Sequence, residues 1–469
     1  MYLFIYQHIM LKTLIRITVV ILFCSLNVYS QKTEKILVGK AGEMQFNISG
    51  NSQYIYSVKW SPDGTRVVTG NSDNNAVIWD AATGTVIHTL AGHKRAVTSV
   101  SWSPDGSRIL TASVDSTAII WDAALGTKIY TLAGNKEYLW IGKWSPDGKY
   151  IIVAGGKTPA IYNAVTGSKI CSLVGHKDYI HDVTWSPDSK YVATASEDTR
   201  GIVWNAESGA IMYKIGSPDE FLTYLYTINW SPDGKLIATG GFDGFGLIWD
   251  AVTGKKTNAL YHLAANYSAK WSPNSKYLAI GGGNKKAIIW DVTKAGGTVV
   301  HSLEGHTNYV TEVCWSPDGN QIITGSADST AIVWDAATGQ KVLTLNGRTN
   351  YISEFSWSPD GNRVATSSYD GTARIWYVKD IVGVSEQLPQ HQWVYSVSPN
   401  PANSSFTLHF ENARSNSIKI ELFNVLGQIV CTNEIPVGSK EWTVNASGLP
   451  VGMYILNVGN QTLTVSVVR

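Results

Sequence analysis

The sequence predicts an all-β protein: eight repeated four-stranded units followed by a small C-terminal β-sandwich. Three observations carry this reading. Trp-Ser-Pro recurs at Trp60, Trp102, Trp144, Trp185, Trp230, Trp271, Trp315 and Trp357, at steps of 41 to 45 residues. A second aromatic follows each by 18 or 19 residues, at Trp79, Trp121, Tyr162, Trp204, Trp249, Trp290, Trp334 and Trp376. From residue 396 onward the pattern changes to short alternating runs broken by Asn, Gly and Pro turns. A period near 40 residues marks an architecture in which each repeat buries its faces only by stacking on its neighbours.

Within one unit, residues 93–132, four β-rich runs are separated by turn chemistry. The first ends at Trp102, and Pro104-Asp105-Gly106 supplies a fixed φ, a turn-forming carboxylate and a permissive glycine. The second, third and fourth are expected at 108–112, 117–121 and 128–132. The repeated WSPDG, WDAATG and Gly-His pairs resemble the WD-repeat β-propeller family across residues 36–377. The resemblance implies eight blades within residues 31–380; seven blades and a stray unit is the other count.

The family stabilises many blades with a hydrogen-bonded set of His, Ser or Thr, Asp and Trp. By position, that set falls on His93, Asp115 and Trp121, on His176, Asp198 and Trp204, and on His306, Asp328 and Trp334. In the sixth blade His262 and Trp290 stand with Asn284 in place of the Asp. Elsewhere it decays: Asn51, Asn135, Phe221 and Arg348 occupy the His position, and the third blade has Gly156 and Tyr162. These residues are read as structural, since a buried indole N–H and imidazole need partners.

The eighth unit lacks a fourth strand of its own. Upstream of the first unit, residues 41–51 match residues 83–93 position for position, so residues 43–48 are expected to be the outer strand of the last blade. Joining the chain ends this way protects edges that would otherwise be open to association.

Composition sets outer limits on function. With 44% hydrophobic residues, 16% charged residues, 18 Trp and 23 Tyr, the 469-residue chain has ample side chain for a large core, and disorder is excluded as its main state. Lys and Arg total 37 against 36 Asp and Glu; the first 30 residues hold Lys12 and Arg16 and no acid, so the remainder carries 35 against 36. A nucleic acid held by bulk charge is disfavoured. Residues 1–30 read as a secretory signal peptide, Lys12 and Arg16 preceding an apolar run and Ser30 standing at the cleavage side. An uncleaved anchor is the alternative, opposed by the shortness of the uncharged run. No transmembrane segment is expected in the mature chain. The cysteines left, Cys171, Cys314 and Cys431, are odd in number and form no CxxC, so neither a disulfide framework nor a metal site is indicated.

Catalytic motifs are missing: no GxSxG, HExxH, phosphate loop, GxGxxG or EF-hand loop is found. His181 and Asp182 are adjacent on a strand and are expected to face opposite sides. No catalytic residue, metal ligand or cofactor is expected. A binding surface is better supported. In the family, residues leading into the first strand of each blade ring the mouth of the central channel. Six before the first Trp stand Tyr54, Tyr138, Tyr179, Tyr224, Tyr309 and Tyr351, with Ala in the second and sixth blades. Four before it stand Tyr56, Trp140, His181, Tyr226 and Tyr267, alongside Thr98, Thr311 and Ser353. The expected ligand-binding residues are Tyr56, Trp140, His181, Tyr226 and Tyr267, with Tyr138, Tyr179 and Tyr224. Aromatics with a polar handle suit peptides or sugars. A lengthened loop at 216–223 is expected to overhang the same mouth.

After a linker at 381–395, residues 396–469 carry Ser398-Pro399-Asn400-Pro401, Leu422-Phe423-Asn424-Val425-Leu426-Gly427 and Leu449-Pro450-Val451-Gly452-Met453-Tyr454. This segment resembles the type A sorting domain of the type IX secretion system of Bacteroidota. The resemblance implies a partner, the secretion machinery, and a destination: passage through the periplasm and outer membrane, then release or surface attachment. Two functions follow. One is a non-catalytic scaffold binding a protein, peptide or glycan. The other is a propeller enzyme acting on extracellular polysaccharide or peptide, disfavoured by the lack of clustered carboxylates where the first strands begin.

Overall fold

In the second repeat, Val97–Trp102, Arg108–Ser113, Ala118–Asp122 and Lys128–Leu132 pair antiparallel in chain order. The computed structural model describes residues 40–49, 54–216, 224–261, 264–379, 396–398, 404–409, 418–424, 428–437, 439–458 and 461–467. The signal peptide, the linker at 381–395, residues 217–223 of the lengthened loop, Asn51, Phe221 and His262 lie outside the described residues. Before residue 380 the described residues form eight four-stranded antiparallel sheets. Seven use consecutive strands. The other joins Ile352–Trp357, Arg363–Ser368 and Thr372–Tyr377 to Met44–Ser49 from the opposite end of the chain, with Ile48 opposite Ala373.

The first strand of each sheet lies against the first strand of the next, and Ile352–Trp357 returns to Ile55–Trp60. The second and third strands are therefore covered on both faces, and Arg108–Ser113 and Ala118–Asp122 are each buried at every position but one. Fourth strands lie outermost and are largely exposed, most burying one residue near the end, such as Leu90 or Leu132. Each core is shared by two sheets: Val68, Ile78 and Leu90 pack with Val100, Trp102, Ile109 and Trp121. At the seam, Ile48 and Ile375 pack with Val58, Trp60 and Val67. Burial of Ile48 alone contributes roughly 2 kcal/mol.

The conserved spacing of the hairpin has a chemical cause. Ser103 Oγ donates to Asp105 and accepts from Arg108 N at 2.9 Å, while Asp105 Oδ1 accepts from Ser107 N at 3.0 Å. Gly106 closes the turn at φ +70°. In the fourth repeat Ser189 stands there at φ 63°, and its hydroxyl accepts Asp147 N of the preceding repeat at 3.1 Å, a bond that offsets the strained backbone.

The chain divides into two compact units, at 382/383. The second contains a three-stranded sheet (Ser396–Ser398, Ser405–His409, Glu441–Asn445) and a four-stranded sheet in the order Ile429–Ile435, Ile418–Phe423, Gly452–Val458, Gln461–Val467. Phe406, Leu408 and Val444 of the first share a core with Leu422, Leu456 and Val465 of the second, which makes a sandwich. Tyr454 is buried in it and donates its hydroxyl to Pro450 O at 2.7 Å.

Candidate binding mouth

The His, Thr, Asp and Trp residues of the blades connect as a chain of hydrogen bonds. His93 Nδ1 lies 3.0 Å from Asp115 Oδ2 and its Nε2 2.7 Å from Thr111 Oγ1, which also accepts Trp121 Nε1–H at 2.9 Å. His176, Thr194, Asp198 and Trp204 repeat this, as do His306, Thr324, Asp328 and Trp334. Burial holds the His93 and His306 pKa values below the usual range despite the adjacent carboxylates, which favours neutral rings with a proton on Nδ1. Where the residues differ, substitutes keep the bonding. Arg348 donates to Thr366 O at 2.8 Å and to Thr372 O at 2.9 Å, and pairs with Asp370; Tyr162 Oη donates to Ala133 O at 3.0 Å.

The mouth depends on an irregularity that alternation does not foresee. In seven innermost strands the register with the second strand skips one residue, for example between Ile55 and Ser57, Ile180 and Asp182, and Leu225 and Thr227. The skipped residue stands four before the first Trp. A bulge turns two successive side chains to the same side. His181 and Asp182 therefore both line the channel, contrary to the opposite-face expectation.

The resulting cavity, of about 290 Å³, is lined by all eight residues four before the Trp and all eight residues three before it. Tyr56, Trp140, His181, Tyr226 and Tyr267 are among the first set. Tyr138, Tyr179 and Tyr224 are not on this wall; they stand about half exposed, Tyr138 beside Arg95 and Tyr179 beside Lys157. Ring centroids of His181 and Tyr226 are 5.1 Å apart, those of Tyr226 and Tyr267 5.7 Å, and those of Tyr267 and Tyr309 5.5 Å, so one aromatic rail crosses four successive repeats. Partial burial and neighbouring phenols raise the pKa of Tyr56, and burial with Tyr267 raises that of Tyr226; both remain hydroxyl donors at neutral pH. His181 Nε2 lies 2.8 Å from Glu197 Oε1.

Beneath the rim lies a charged layer that motif reading missed. Asp182, Glu312 and Glu354 stand three before the Trp, and Lys59, Lys143 and Lys270 one before it. Against the expected lack of clustered carboxylates, Glu312 and Glu354 are neighbours, whereas Asp182 is set among Lys143 and Lys270. The acids also bind one blade to the next: Asp182 Oδ2 accepts Ile228 N at 3.2 Å, Glu312 Oε2 accepts Phe355 N at 3.2 Å, and Glu354 Oε2 accepts Val58 N at 2.9 Å. Ser57, Ser99 and Ser268 make the same bond to Val100, Gly142 and Val313. Lys59 pairs with Glu354, and Lys143 with Asp182 at 3.1 Å. Burial opposes the Asp182 charge, yet Lys143, Lys270 and the Ile228 N–H outweigh it and hold its pKa below the usual range. Burial and the Glu354 charge push Glu312 up to about 7. The layer is legible in the sequence at the positions three and one before the Trp, where acids and lysines recur.

Comparison with known proteins agrees with the geometry. The "WD domain, G-beta repeat" model matches residues 42–80, 84–122, 167–205, 221–250, 256–291, 297–335 and 339–377. The longest interval left between these matches, residues 123–166, contains the first three strands of the third sheet, where Tyr162 and Gly156 replace Trp and Asp. The "Secretion system C-terminal sorting domain" model matches residues 396–468 and implies export by type IX secretion to the cell surface or outside. A 42-residue stretch is 40% identical to Protein Mut11 of Chlamydomonas reinhardtii, covering 9% of this chain and 11% of that protein. With its repeats filling more than half the chain, the protein belongs to the WD-repeat family and carries a type IX secretion sorting domain.

Proposed function

We propose that the protein is a non-catalytic interaction scaffold of the cell exterior, exported through its sorting domain and binding its ligand at the aromatic mouth. The observation that carries this is the wall of the cavity: five aromatic or imidazole side chains, from five different repeats, converge on one opening. Partly exposed aromatics on a rigid ring present binding area at little conformational cost. The carboxylates below support a scaffold, because each is engaged by a backbone N–H of the adjoining blade. The alternative, a hydrolase or lyase, draws on one observation, the raised Glu312 carboxyl near Glu354.

Binding of the mature chain to host-surface extracts, followed by titration of the recovered component, tests this. Trp140→Ala with Tyr226→Ala should weaken binding at least about tenfold, or about 1.4 kcal/mol, with the melting temperature nearly unchanged. Unaltered affinity in the double variant rejects the mouth. Turnover of the bound component that disappears in Glu312→Gln establishes the enzyme instead.

A further inference from the structure

We propose that the floor of the mouth is an anion subsite centred on Lys270, and that the mouth takes an oligosaccharide bearing an acidic sugar. This deepens the scaffold reading and rests on it. Ion pairing in the charged layer is uneven. Lys59 is matched by Glu354 and Lys143 by Asp182, whereas Lys270 forms no ion pair among the described residues. Glu312, the remaining acid, turns one carboxylate oxygen to the Phe355 N–H, and the charges of Glu312 and Asp182 act on Lys270 from beyond ion-pair distance, so among the described residues no anion is bonded to its ammonium group. Lys270 lines the same cavity as the aromatic rim. An ammonium group in a partly closed cavity is most stable with an anion, and its bonds to a carboxylate are charge-assisted.

The rim selects the rest of the ligand. Tyr267 stands on the same strand as Lys270, Asn266–Trp271, and belongs to the rail running from His181 to Tyr309. Ring faces alternating with phenol hydroxyls complement pyranose rings, which are apolar on one face and hydroxylated at the edge. A peptide added as a strand needs a free backbone edge. Here six of the inward N–H groups are capped by side chains of the neighbouring repeat, so the main chain offers little. A sugar ring stacked at Tyr267 with its carboxylate directed down the channel satisfies both layers.

The test is an array of neutral and of uronate- or sialate-bearing oligosaccharides, with carboxylate-terminated peptides, probed with the mature chain and followed by calorimetry on trigalacturonate and on the acidic glycan retained best. Acidic glycans should bind at least tenfold more tightly than neutral analogues. Lys270→Gln should lose at least tenfold in a variant that still unfolds in one cooperative transition, and Lys270→Arg should retain binding. Equal binding of neutral glycans, retention of peptides alone, no retention of any acidic glycan, or an unaffected Lys270→Gln overturns the proposal. If Trp140→Ala with Tyr226→Ala weakens binding while Lys270→Gln does not, the mouth stands and the anion subsite falls. If the aromatic double variant has no effect, the mouth itself is rejected.

Discussion

Glu354, in the last innermost strand, accepts the backbone N–H of Val58, in the first, at 2.9 Å. It also accepts the Ser57 hydroxyl at 2.7 Å and pairs with Lys59, so one carboxylate holds three groups across the seam where the chain ends meet. Glu354→Ala is expected to cost about 2 kcal/mol, the scale of a hydrogen bond to a charged group. Glu354→Gln, which keeps an acceptor for Val58, should recover part of it. Denaturant titration of both variants is the check, and equal stability of Ala and wild type would contradict the account.

Met44–Ser49 completes the sheet that ends at Tyr377. Deleting residues 31–50 should expose Thr372–Tyr377 as an open edge, remove buried Ile48, and convert soluble monomer to associated species. Size-exclusion chromatography with light scattering reads this directly. Unchanged melting and no association would show that the strand is dispensable.

Thr111 accepts the Trp121 N–H and meets His93 in the same place. Thr111→Val preserves shape and removes the hydroxyl, leaving two buried polar groups unpaired at a cost of roughly 2 kcal/mol. Asp105→Ala, in an exposed turn, should cost less and leave affinity at the mouth unchanged.

Two sets of groups give stability a pH dependence of opposite sign. Glu312 has a raised folded pKa, so the native state holds its proton more tightly, and its contribution is fully present below the ordinary carboxylate value and lost as pH rises toward about 7. His93 and His306 have lowered folded pKa values, so their contribution is present above the usual imidazole value and lost as pH falls. Between pH 5 and 8, Glu312→Gln should gain stability relative to wild type as pH rises. A constant difference across that range would exclude the raised carboxyl.

Removal of residues 396–469 should leave a folded propeller retained in the periplasm of the native host. Fractionation and surface labelling distinguish this from normal display, which would show that the sandwich is not an address.

The sequence by itself determined the repeating unit, the all-β class, the family and the sorting domain. These depend on local chemistry: Ser103, Pro104, Asp105 and Gly106 make a hairpin through bonds within a few residues, and the spacing of Trp102 and Trp121 follows from the strands between them. The third repeat was legible despite Tyr162, since its hairpin turn survives. Tertiary structure decided the mouth. The bulge at His181 arises where an innermost strand meets its partner at the channel edge, so that Asp182 joins His181 on the wall, a placement strict alternation forbids. Tyr138, Tyr179 and Tyr224 precede the strands that begin at Ile141, Ile180 and Leu225 and stand off that wall. The charged layer exists only in the closed ring, because Glu354 and Lys59 are at opposite ends of the repeat array, 295 residues apart, and their attraction acts only once the inner strands converge on one axis.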